Sequence, residues 1–437
     1  MKKMLCISLL LSLTLSACEI SNRVDITLHL NGGTINNKDT LVLSLRDFKR
    51  LNEYPKLHGK IFSSYYYDQY FSQRFEGNYE ITKSIDLYAK YYDDIFEYQL
   101  EDNTYSITKV VDDIYSSITV PDYIENTYVK KIKKEAIKNI TVNKLFLRNI
   151  EEIEKDAFIN SSINYLEIGN QIKKIEYGAF RKVKNLRAVK IDENSHYSAV
   201  NNVILEKLPG DERVIIGNYG YDKSMFNEDQ LSTVDIVSIA PYSFSNLYVY
   251  NDKLNIKGYT FYIPSTVSEI SESAFEDCNV YCYNDDEQIK IQLGFFFFDN
   301  IEIIHKNAFA NSAVTLVKYE IQKVVRDNVV KFVPSETGIE TFGEGAFQNT
   351  ELKKIILPKT LKKIEKNCFY SCDVLTEIYY EGSPEEYKKI IIEEEGNEAL
   401  LNANVYYYSE TKEIGRWYYE CDPNSKIPYL GTPTFYK

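Results

Sequence analysis

Two pairs of cysteines have a spacing that could bind a metal ion. Cys278 and Cys282 form one C-x-x-x-C pair, and Cys368 and Cys372 form the other. Structural zinc takes four thiolate or imidazole ligands, and the four histidines of this chain form no cluster in the sequence. We therefore expect no metal, and we interpret Cys278, Cys368 and Cys372 as small buried residues. A disulfide, including one formed by Cys421, stays open.

Motifs for catalysis are absent from the sequence. It contains no G-x-S-x-G elbow, no Walker A loop and no paired-glycine fingerprint. His305 is expected to face solvent. Glu393, Glu394 and Glu395 are typical of the exposed end of a helix, whereas glycoside hydrolysis needs two carboxylates facing each other across a pocket. We expect no enzyme, no catalytic residue and no cofactor.

A different chemistry is indicated at Cys18. Two lysines precede an apolar run from Met4 to Leu15, which is the pattern of a signal peptide and falls short of the roughly 20 residues of a spanning helix. The next residues, L-S-A-C, resemble the lipobox of bacterial lipoproteins. This resemblance implies removal of residues 1–17, acyl chains such as palmitate on Cys18, and a linker over residues 18–23. Several acyl chains would anchor the protein to a cell membrane, on the outer surface of a bacterium.

The charge of the chain argues against a nucleic-acid partner. The formal net charge is -13, and lysines alternate with glutamates in stretches such as K-K-I-K-K-E-A and E-E-I-E-K-D-A. Binding of nucleic acid depends on clustered Lys and Arg that neutralise phosphates. The interleaved charges are typical of a solvated mixed surface.

One short pattern recurs along the chain: an aliphatic residue, three variable residues, a small residue and a large apolar residue. Its eight copies begin at Ile132, Ile153, Ile175, Ile239, Ile270, Ile304, Phe342 and Ile364. They end at Ile137, Phe158, Phe180, Phe244, Phe275, Phe309, Phe347 and Phe369. The closest copies are about 22 residues apart. Since one copy cannot bury its apolar residues alone, the pattern predicts stacked coils.

A strand and a turn occupy the space between copies. The residues from Thr350 to Ile364 include an apolar run that leads into Pro358, and Pro121, Pro264 and Pro334 follow similar runs. Proline is tolerated at the end of a strand because no further ladder donor is needed there. The sequence therefore predicts one short strand per coil, which ends near a proline.

These residues resemble the BspA-type leucine-rich repeats of bacterial surface proteins, whose pattern is I-x-x-x-A-F-x-x-C-x-x-L-x-x-I-x-I-P. The resemblance covers roughly residues 105–408. It implies a mainly β fold, a leucine-rich-repeat solenoid with one short strand per repeat. Residues 181–238 hold no A-F copy and are interpreted as an insertion. The longer spacings after Phe244 predict longer loops on one face of the solenoid.

The end of the repeats also matches the family pattern. The stretches I-Y-Y-E-G-S-P-E-E-Y from Ile378 and N-A-N-V-Y-Y-Y-S from Asn402 resemble its closing segment. Ser383 as N-cap, proline at the next position and Glu386 predict a helix with a capping box. Such an end piece would cover the last coil. Residues 409–437 are interpreted as an aromatic C-terminal tail.

The segment before the repeats resembles a different module. Three sequence motifs characterise it: T-L-H-L-N-G-G from Thr27, G-K-I-F-S-S-Y-Y-Y-D from Gly59 and D-L-Y-A-K from Asp86. They resemble the Listeria-Bacteroides repeat, a small β-grasp-like module also called the internalin B-repeat, over residues 24–92. Ser64 and Tyr65 stand where that family usually has Gly and Trp. Asn31 and the two glycines after it predict a turn between strands.

Aromatic residues are abundant, with 38 tyrosines and a run from Phe295 to Phe298. Tyrosine is common at recognition surfaces, but it also favours strands, and for a single tyrosine we prefer the second explanation. The phenylalanine run should alternate between the two faces of a strand. Two of its rings are therefore expected to face solvent or a covering loop, as a possible contact patch.

The sequence favours a binding protein over an enzyme. A solenoid presents a long surface whose side chains vary while its core is kept, which suits recognition of proteins or glycans. The resemblance implies an adhesin-like surface protein whose ligand lies on a host, a neighbouring cell or its own envelope. One alternative is a structural component that organises cell-surface polymers. Another is an enzyme with its site in residues 181–238, and the ligand and oligomeric state stay open.

Overall fold

The computed structural model of the protein describes residues 24–77, 80–111, 114–200, 203–218, 235–245, 250–251, 258–284, 287–326, 329–420 and 432–435. These residues form two compact units. The first contains the residues up to Asp94 together with Tyr123–Asn126, and the second contains Ile95–Asp122 and the residues from Thr127 onward. The fold is mainly β, as predicted.

The first unit is built on a mixed β-sheet. Its elements are β1 (Asp25–His29), β2 (Thr40–Ser44), α1 (Leu45–Phe48), β3 (Lys60–Tyr66) and β4 (Ile85–Asp93). The strand order is β2-β1-β4-β3, in which β1 and β4 are parallel and the two outer strands are antiparallel to them. The mixed order agrees with a β-grasp-like module, while membership in the Listeria-Bacteroides repeats stays a prediction.

The predicted turn after β1 is present. Asn31 and Gly32 have φ angles of 46° and 91°, which lie in the left-handed region where glycine and asparagine are tolerated best. The backbone N–H of Gly33 donates to the carbonyl oxygen of Leu30 at 2.8 Å. This bond closes the turn and reverses the chain at the end of the strand.

The second unit begins with a regular stack of coils. Its first strands are β5 (Phe96–Glu101), β6 (Thr104–Val110), β7 (Ile114–Thr119), β9 (Thr127–Ile132), β10 (Thr141–Leu147), β11 (Glu152–Ile153), β12 (Ser162–Ile168), β13 (Lys174–Ile175) and β14 (Ala188–Ile191). The short strand β8 (Tyr123–Ile124) lies between β7 and β9 in the sequence but belongs to the first unit. One parallel sheet has the order β14-β12-β10-β7, and a second sheet, in which β11 and β13 have only two residues each, has the order β13-β11-β9-β6-β5. Each coil therefore adds one strand to each sheet, which is the predicted solenoid.

The predicted insertion at residues 181–238 contributes strands of its own. They are β15 (Tyr197–Val200), β16 (Val203–Lys207) and β17 (Glu212–Asn218), and a 3-10 turn at Pro209–Asp211 precedes the last of them. These strands pair antiparallel in sequence, and β17 then pairs in parallel with β18 (Asp235–Ile239). The described part of the insertion thus begins a new sheet of short strands.

That sheet continues to the C-terminal end of the solenoid. The remaining elements are β19 (Tyr250–Asn251), β20 (Gly258–Tyr262), β21 (Glu269–Ile270), β22 (Val280–Asn284), β23 (Glu287–Phe297), β24 (Ile303–Ile304), β25 (Val314–Tyr319), β26 (Ile321–Arg326), β27 (Val329–Pro334), β28 (Thr341–Phe342), β29 (Lys354–Leu357), β30 (Lys363–Ile364), β31 (Glu377–Tyr380), α2 (Pro384–Tyr387), β32 (Ile391–Ile392), α3 (Glu398–Leu401), β33 (Asn404–Tyr407), β34 (Trp417–Glu420) and β35 (Thr432–Phe435). The short strands follow one another in the order β18-β21-β24-β28-β30-β32.

The wide spacings between the later repeats hold β-hairpins where the sequence predicted loops. Strands β22 and β23 pair antiparallel between Phe275 and Phe309, and β26 and β27 do so between Phe309 and Phe347. The expectation of loops was wrong for these two spacings, because the residues there pair with each other as antiparallel strands. The predicted proline corners are confirmed, since β29 ends directly before Pro358 and β27 ends at Pro334.

A spine of phenylalanine rings runs through the core. Neighbouring rings stack nearly parallel, with centroid distances of 4.6 Å for Phe244 and Phe275, 5.1 Å for Phe275 and Phe309, and 5.3 Å for Phe309 and Phe347. The stack continues to Phe369 at 5.6 Å. The rings are at most 1% exposed, so the predicted stacking of A-F copies is confirmed.

The phenylalanines at the end of β23 are covered on both faces of the strand. Phe295, Phe296 and Phe297 are all fully buried, although neighbouring residues of a strand face opposite sides. The ring of Phe296 contacts Tyr262 at 5.6 Å and Phe298 at 5.1 Å between centroids. Of the two alternatives predicted for this second face, solvent or a covering segment, the structure shows a covered ring at Phe296, so Phe296 forms no exposed contact patch.

The C-terminal end of the solenoid has the predicted helix. In α2 the Ser383 hydroxyl accepts from the Glu386 backbone N–H at 3.2 Å, and the Glu386 carboxylate accepts from the Ser383 backbone N–H at 2.7 Å. This is the expected capping box. The core also extends into the predicted tail, since Trp417 is fully buried and belongs to the same apolar cluster as the phenylalanine spine.

Candidate ligand-binding surface

The sheet formed by β7, β10, β12 and β14 has one buried face and one face with accessible side chains. In β10 and β12, Leu145 and Leu166 are fully buried, whereas Tyr165 and Glu167 are partly accessible. Residues that alternate in a strand face opposite sides of its sheet. The leucines therefore form the core, and the residues between them form the outer surface.

The register aligns these outer residues in rows across the coils. Lys144 lies beside Tyr165, Phe146 lies beside Glu167, and Glu167 in turn lies beside Lys190. We call this surface the aromatic face and define it by Lys144, Phe146, Arg148, Tyr165, Glu167 and Lys190. Since parallel strands in register repeat at about 4.8 Å, its side chains are held at neighbouring positions.

Contacts within the aromatic face hold its side chains in place. The rings of Phe146 and Tyr165 lie 6.0 Å apart, and the guanidinium of Arg148 lies 5.5 Å from the Phe146 centroid. The hydroxyl of Tyr165 donates to the Glu167 carboxylate at 2.9 Å. Burial and this hydrogen bond raise the pKa of Tyr165, so it stays protonated at neutral pH. Such rigid Tyr and Arg side chains are enriched at binding surfaces.

The sheet that contains β9, β11 and β13 carries a different surface, which we call the ion-pair ladder. Glu151 lies between Lys130 and Lys173 with nitrogen–oxygen distances of 2.8 Å to each, and Glu152 bridges the next two lysines in the same way. Partial burial opposes ionisation of Glu151, but the two lysines outweigh it and hold the pKa of this carboxyl below its usual value. These charges compensate each other along the stack, so the ladder stabilises the coils and offers little net charge to a ligand.

The repeat pattern and the stacked coils identify a family. The sequence model of the BspA-type leucine-rich repeat region matches residues 108–224, 214–329, 248–376 and 281–420, with six copies. These matches cover well over half of the chain. The protein belongs to the BspA-type leucine-rich repeat family.

Several solved structures are similar to this BspA-type chain. A leucine-rich cell surface protein from Faecalibacterium prausnitzii is 15% identical, with 68% of this chain and 96% of that chain covered and a TM-score of 0.35. A leucine-rich repeat protein from Eubacterium ventriosum is 14% identical, with 64% and 80% covered and a TM-score of 0.36. The pneumococcal vaccine antigen PcpA is 12% identical, with 73% and 93% covered and a TM-score of 0.27. No curated protein matches the sequence.

Cys18, the predicted lipidation site of this BspA-type protein, lies outside the described residues, as do the predicted signal peptide and linker. Within the part of the chain that the structure describes, no helix is both long enough and apolar enough to cross a membrane. Lipid anchoring through Cys18 is therefore still a prediction.

The repeat cysteines are buried in the coils. Cys278, Cys368 and Cys372 are free thiols with no exposed surface, which confirms their interpretation as small core residues. Burial raises the pKa of the Cys372 thiol, which donates to the carbonyl oxygen of Phe347 at 3.1 Å. Cys282 lies in β22, and Cys421 lies outside the described residues. The three described thiols are thus unreactive core groups.

The remaining residues considered for chemistry occupy ordinary positions. His305 is partly exposed and its Nε2 lies 3.0 Å from the Glu269 carboxylate, in line with a solvent-facing side chain. Glu393 lies in the loop between β32 and α3 and pairs with Lys363 at 3.0 Å. The expected helix end at this glutamate was wrong, because the chain forms a further short coil there. In the described ranges, no group of three or more His, Cys, Asp or Glu residues could hold a metal.

Sequence reasoning missed a buried polar group near the end of the solenoid. Asn397 is fully buried, and its side-chain amide donates to the carbonyl oxygens of Glu365 at 2.9 Å and Glu393 at 2.6 Å. Its side-chain oxygen accepts from the backbone N–H of Phe369 at 3.0 Å. Asn397 thereby satisfies backbone groups that a further repeat would otherwise bind. Its only signal in the sequence is its place after the glycine of a turn.

Proposed function

We propose that this protein binds a protein or glycan ligand through the aromatic face and is held on the outer surface of a bacterial cell by lipid on Cys18. The observation that carries the proposal is the aromatic face itself: Phe146, Arg148 and Tyr165 lie side by side on a regular sheet. Their outer surfaces contribute little to the core. An accessible row of this composition suits recognition, because aromatic and arginine side chains give much contact area for little lost conformational entropy.

The contrast with the ion-pair ladder supports the choice of surface. Along the ladder each glutamate already binds two lysines, so a ligand would have to break existing pairs. On the aromatic face, Lys144 and Arg148 accompany the rings and leave hydrogen-bonding capacity for a partner. The proposed ligand is therefore one that combines apolar surface with hydrogen-bond acceptors, as exposed protein loops and glycans do.

The test measures saturable binding of the purified full chain to arrays of extracellular proteins and glycans. A Phe146→Ala, Tyr165→Ala double variant should lose at least about tenfold in affinity, because central aromatic contacts are each worth roughly 1–2 kcal/mol or more. The matched control is Tyr370→Ala, which removes a tyrosine that is 55% exposed elsewhere on the solenoid. Unchanged affinity of the double variant would exclude the aromatic face.

Binding restricted to the producing cell's own envelope would favour the structural alternative. Hydrolysis of a panel substrate, abolished by changes in residues 181–238, would instead favour an enzyme.

The lipid anchor has a test of its own. Cys18→Ser should abolish incorporation of labelled palmitate and release the protein from the membrane fraction. Protease treatment of intact cells should release peptides from residues 100–437, and their absence despite good expression would contradict surface display.

A further inference from the structure

The first unit contains a cleft that the proposed function does not use. Its volume is about 300 Å³, and its lining includes the rings of Phe48, Tyr54, Tyr65 and Phe75. Cavities of this size, with aromatic walls and a few polar groups, are typical of sites for small ligands. All lining residues belong to the first unit, so the cleft is complete without the solenoid.

The aromatic walls of the cleft are fixed by contacts behind them. The ring of Phe48 meets Phe75 edge to face at 5.7 Å, and Tyr54 stacks on Phe62 at 5.4 Å. Phe62 also contacts the ring of Tyr65 at 5.0 Å. Phe62 and Phe75 lie in the apolar core of the unit. The walls are thus continuous with the core, which holds the rings in place.

The hydroxyl of Tyr65 is the unusual group of this cleft. Tyr65 is only 6% exposed, and its hydroxyl has no hydrogen-bond partner among the described residues. Leaving such a buried group without a partner has a cost in free energy. Burial also raises its pKa, so the group remains a neutral hydroxyl that can both donate and accept. A ligand with a hydroxyl at this point would remove the cost.

Further polar groups line the cleft and limit the charge of its ligand. Glu53 and Glu76 bring two carboxylates, whereas Arg74 brings one guanidinium, which lies 3.9 Å above the ring of Tyr123. Asn126 adds an amide whose oxygen accepts from a serine hydroxyl at 2.8 Å. The excess of carboxylate disfavours an anion, and the guanidinium disfavours a cation at the same place. Donors and acceptors are both present, as a neutral ligand with several hydroxyls requires.

We propose that this cleft binds one uncharged sugar unit, with an apolar C–H face against the aromatic walls and a hydroxyl at Tyr65. A hexose ring has both features, since its C–H groups form an apolar face and its hydroxyls donate and accept hydrogen bonds. The inference is independent of the aromatic face. It gives the first unit a ligand site of its own.

The test titrates the full chain with a panel of neutral methyl glycosides, followed by calorimetry or ligand-observed NMR. Tyr65→Phe keeps the ring and removes only the hydroxyl. We expect it to weaken sugar binding about tenfold or more while leaving the melting temperature unchanged or higher, since an unsatisfied buried group is removed. A merely structural role of this tyrosine would not separate affinity from stability in this direction.

The matched control is Tyr91→Phe in the same unit. The hydroxyl of Tyr91 donates to the carbonyl oxygen of Leu30 at 2.8 Å, and Tyr91 does not line the cleft. This variant should lose stability and keep its sugar affinity. The proposal is overturned if no neutral glycoside binds up to about 10 mM, if Tyr65→Phe binds as well as the parent, or if anionic or cationic glycosides bind better. Binding at the aromatic face should be the same in all of these proteins, so the two proposals fail separately.

Discussion

The middle of the solenoid and its C-terminal end bury their side chains by opposite means. In the middle, Phe275, Phe309 and Phe347 repeat one apolar contact from coil to coil. At the end, Trp417 enters the core with its indole N–H shared between the carbonyl oxygens of Tyr380 and Tyr406, 3.1 Å from each. Repeated apolar contacts bury the side chains of a coil that has a neighbour with the same surface. The last coil lacks such a neighbour, so hydrogen-bonded polar groups cover its end.

A buried carboxyl completes this end. Glu381 is 4% exposed and accepts a short hydrogen bond from the hydroxyl of Tyr419. Lys359 and Tyr319 also face it. Burial raises the pKa of Glu381 to about 7, although Tyr419 and Lys359 act in the opposite direction. We therefore expect the stability of this end to depend on pH, whereas the phenylalanine spine contains no titratable side chain.

Truncation in the spine should have the largest effect. Phe309→Ala removes a ring that stacks on both neighbouring coils and should lower the free energy of unfolding by about 3–5 kcal/mol. Urea denaturation followed by circular dichroism measures the change. Tyr370→Ala, which alters an exposed ring, should shift it by less than about 0.5 kcal/mol. A small loss for Phe309→Ala would mean that the coils fold without the spine.

A change in pH should have the second-largest effect on stability, and it should act at the C-terminal end of the stack. The folded-state pKa of Glu381 lies above its unfolded value of about 4.5, so its contribution is fully present below that value and is lost as pH rises through about 7. The loss should be about 3 kcal/mol at most, from the shift in pKa. Glu381→Gln cannot ionise. The free energy of unfolding of the parent protein and of Glu381→Gln, measured from pH 4 to 8, should diverge by this amount. Parallel curves for the two proteins would contradict the prediction.

Removal of the Asn397 side-chain amide, which closes the last coils, should lower the free energy of unfolding by a smaller amount. Asn397→Ala leaves the backbone N–H of Phe369 and two carbonyl oxygens without their side-chain partner, so we expect a loss of about 1–3 kcal/mol. Hydrogen exchange should show it as faster opening of residues 365–397 than of the middle coils. Asn402→Ala, at an exposed helix end, serves as the control. Uniform acceleration across all coils would argue against a local role.

The ion-pair ladder should give the smallest effect. Lys173→Ala and Glu151→Ala, combined in a double-mutant cycle, should show a coupling energy of about 0.2–1 kcal/mol, because solvent screens partly exposed pairs. The coupling should decrease further in about 1 M salt. A coupling energy above about 2 kcal/mol that salt does not reduce would show that the ladder, like the spine, is a main source of stability.

Local patterns made much of the fold predictable. The spacing of Phe158 and Phe180 predicted stacked rings, which lie 5.1 Å apart, and Ser383 with Glu386 predicted the capping box. Both follow from residues that are neighbours in sequence or in adjacent repeats. The aromatic face was not predicted, because the repeat pattern indicates which strand residues face outward but does not show that the ring of Phe146 reaches Tyr165, which is diagonal to it on the next strand.

The sequence by itself determined the repeat, its register and the residues that fill its core, since these depend on short periodic contacts. It also carries the only sign of an anchor, at Cys18. Only the tertiary structure decided how the stack closes: Trp417 binds a carbonyl oxygen 37 residues earlier in the chain, and the hydroxyl of Tyr408 donates to Phe332, 76 residues earlier. The same holds for the cleft at Tyr65. Contacts between such distant residues leave no periodic pattern, because each occurs once and depends on how whole elements pack.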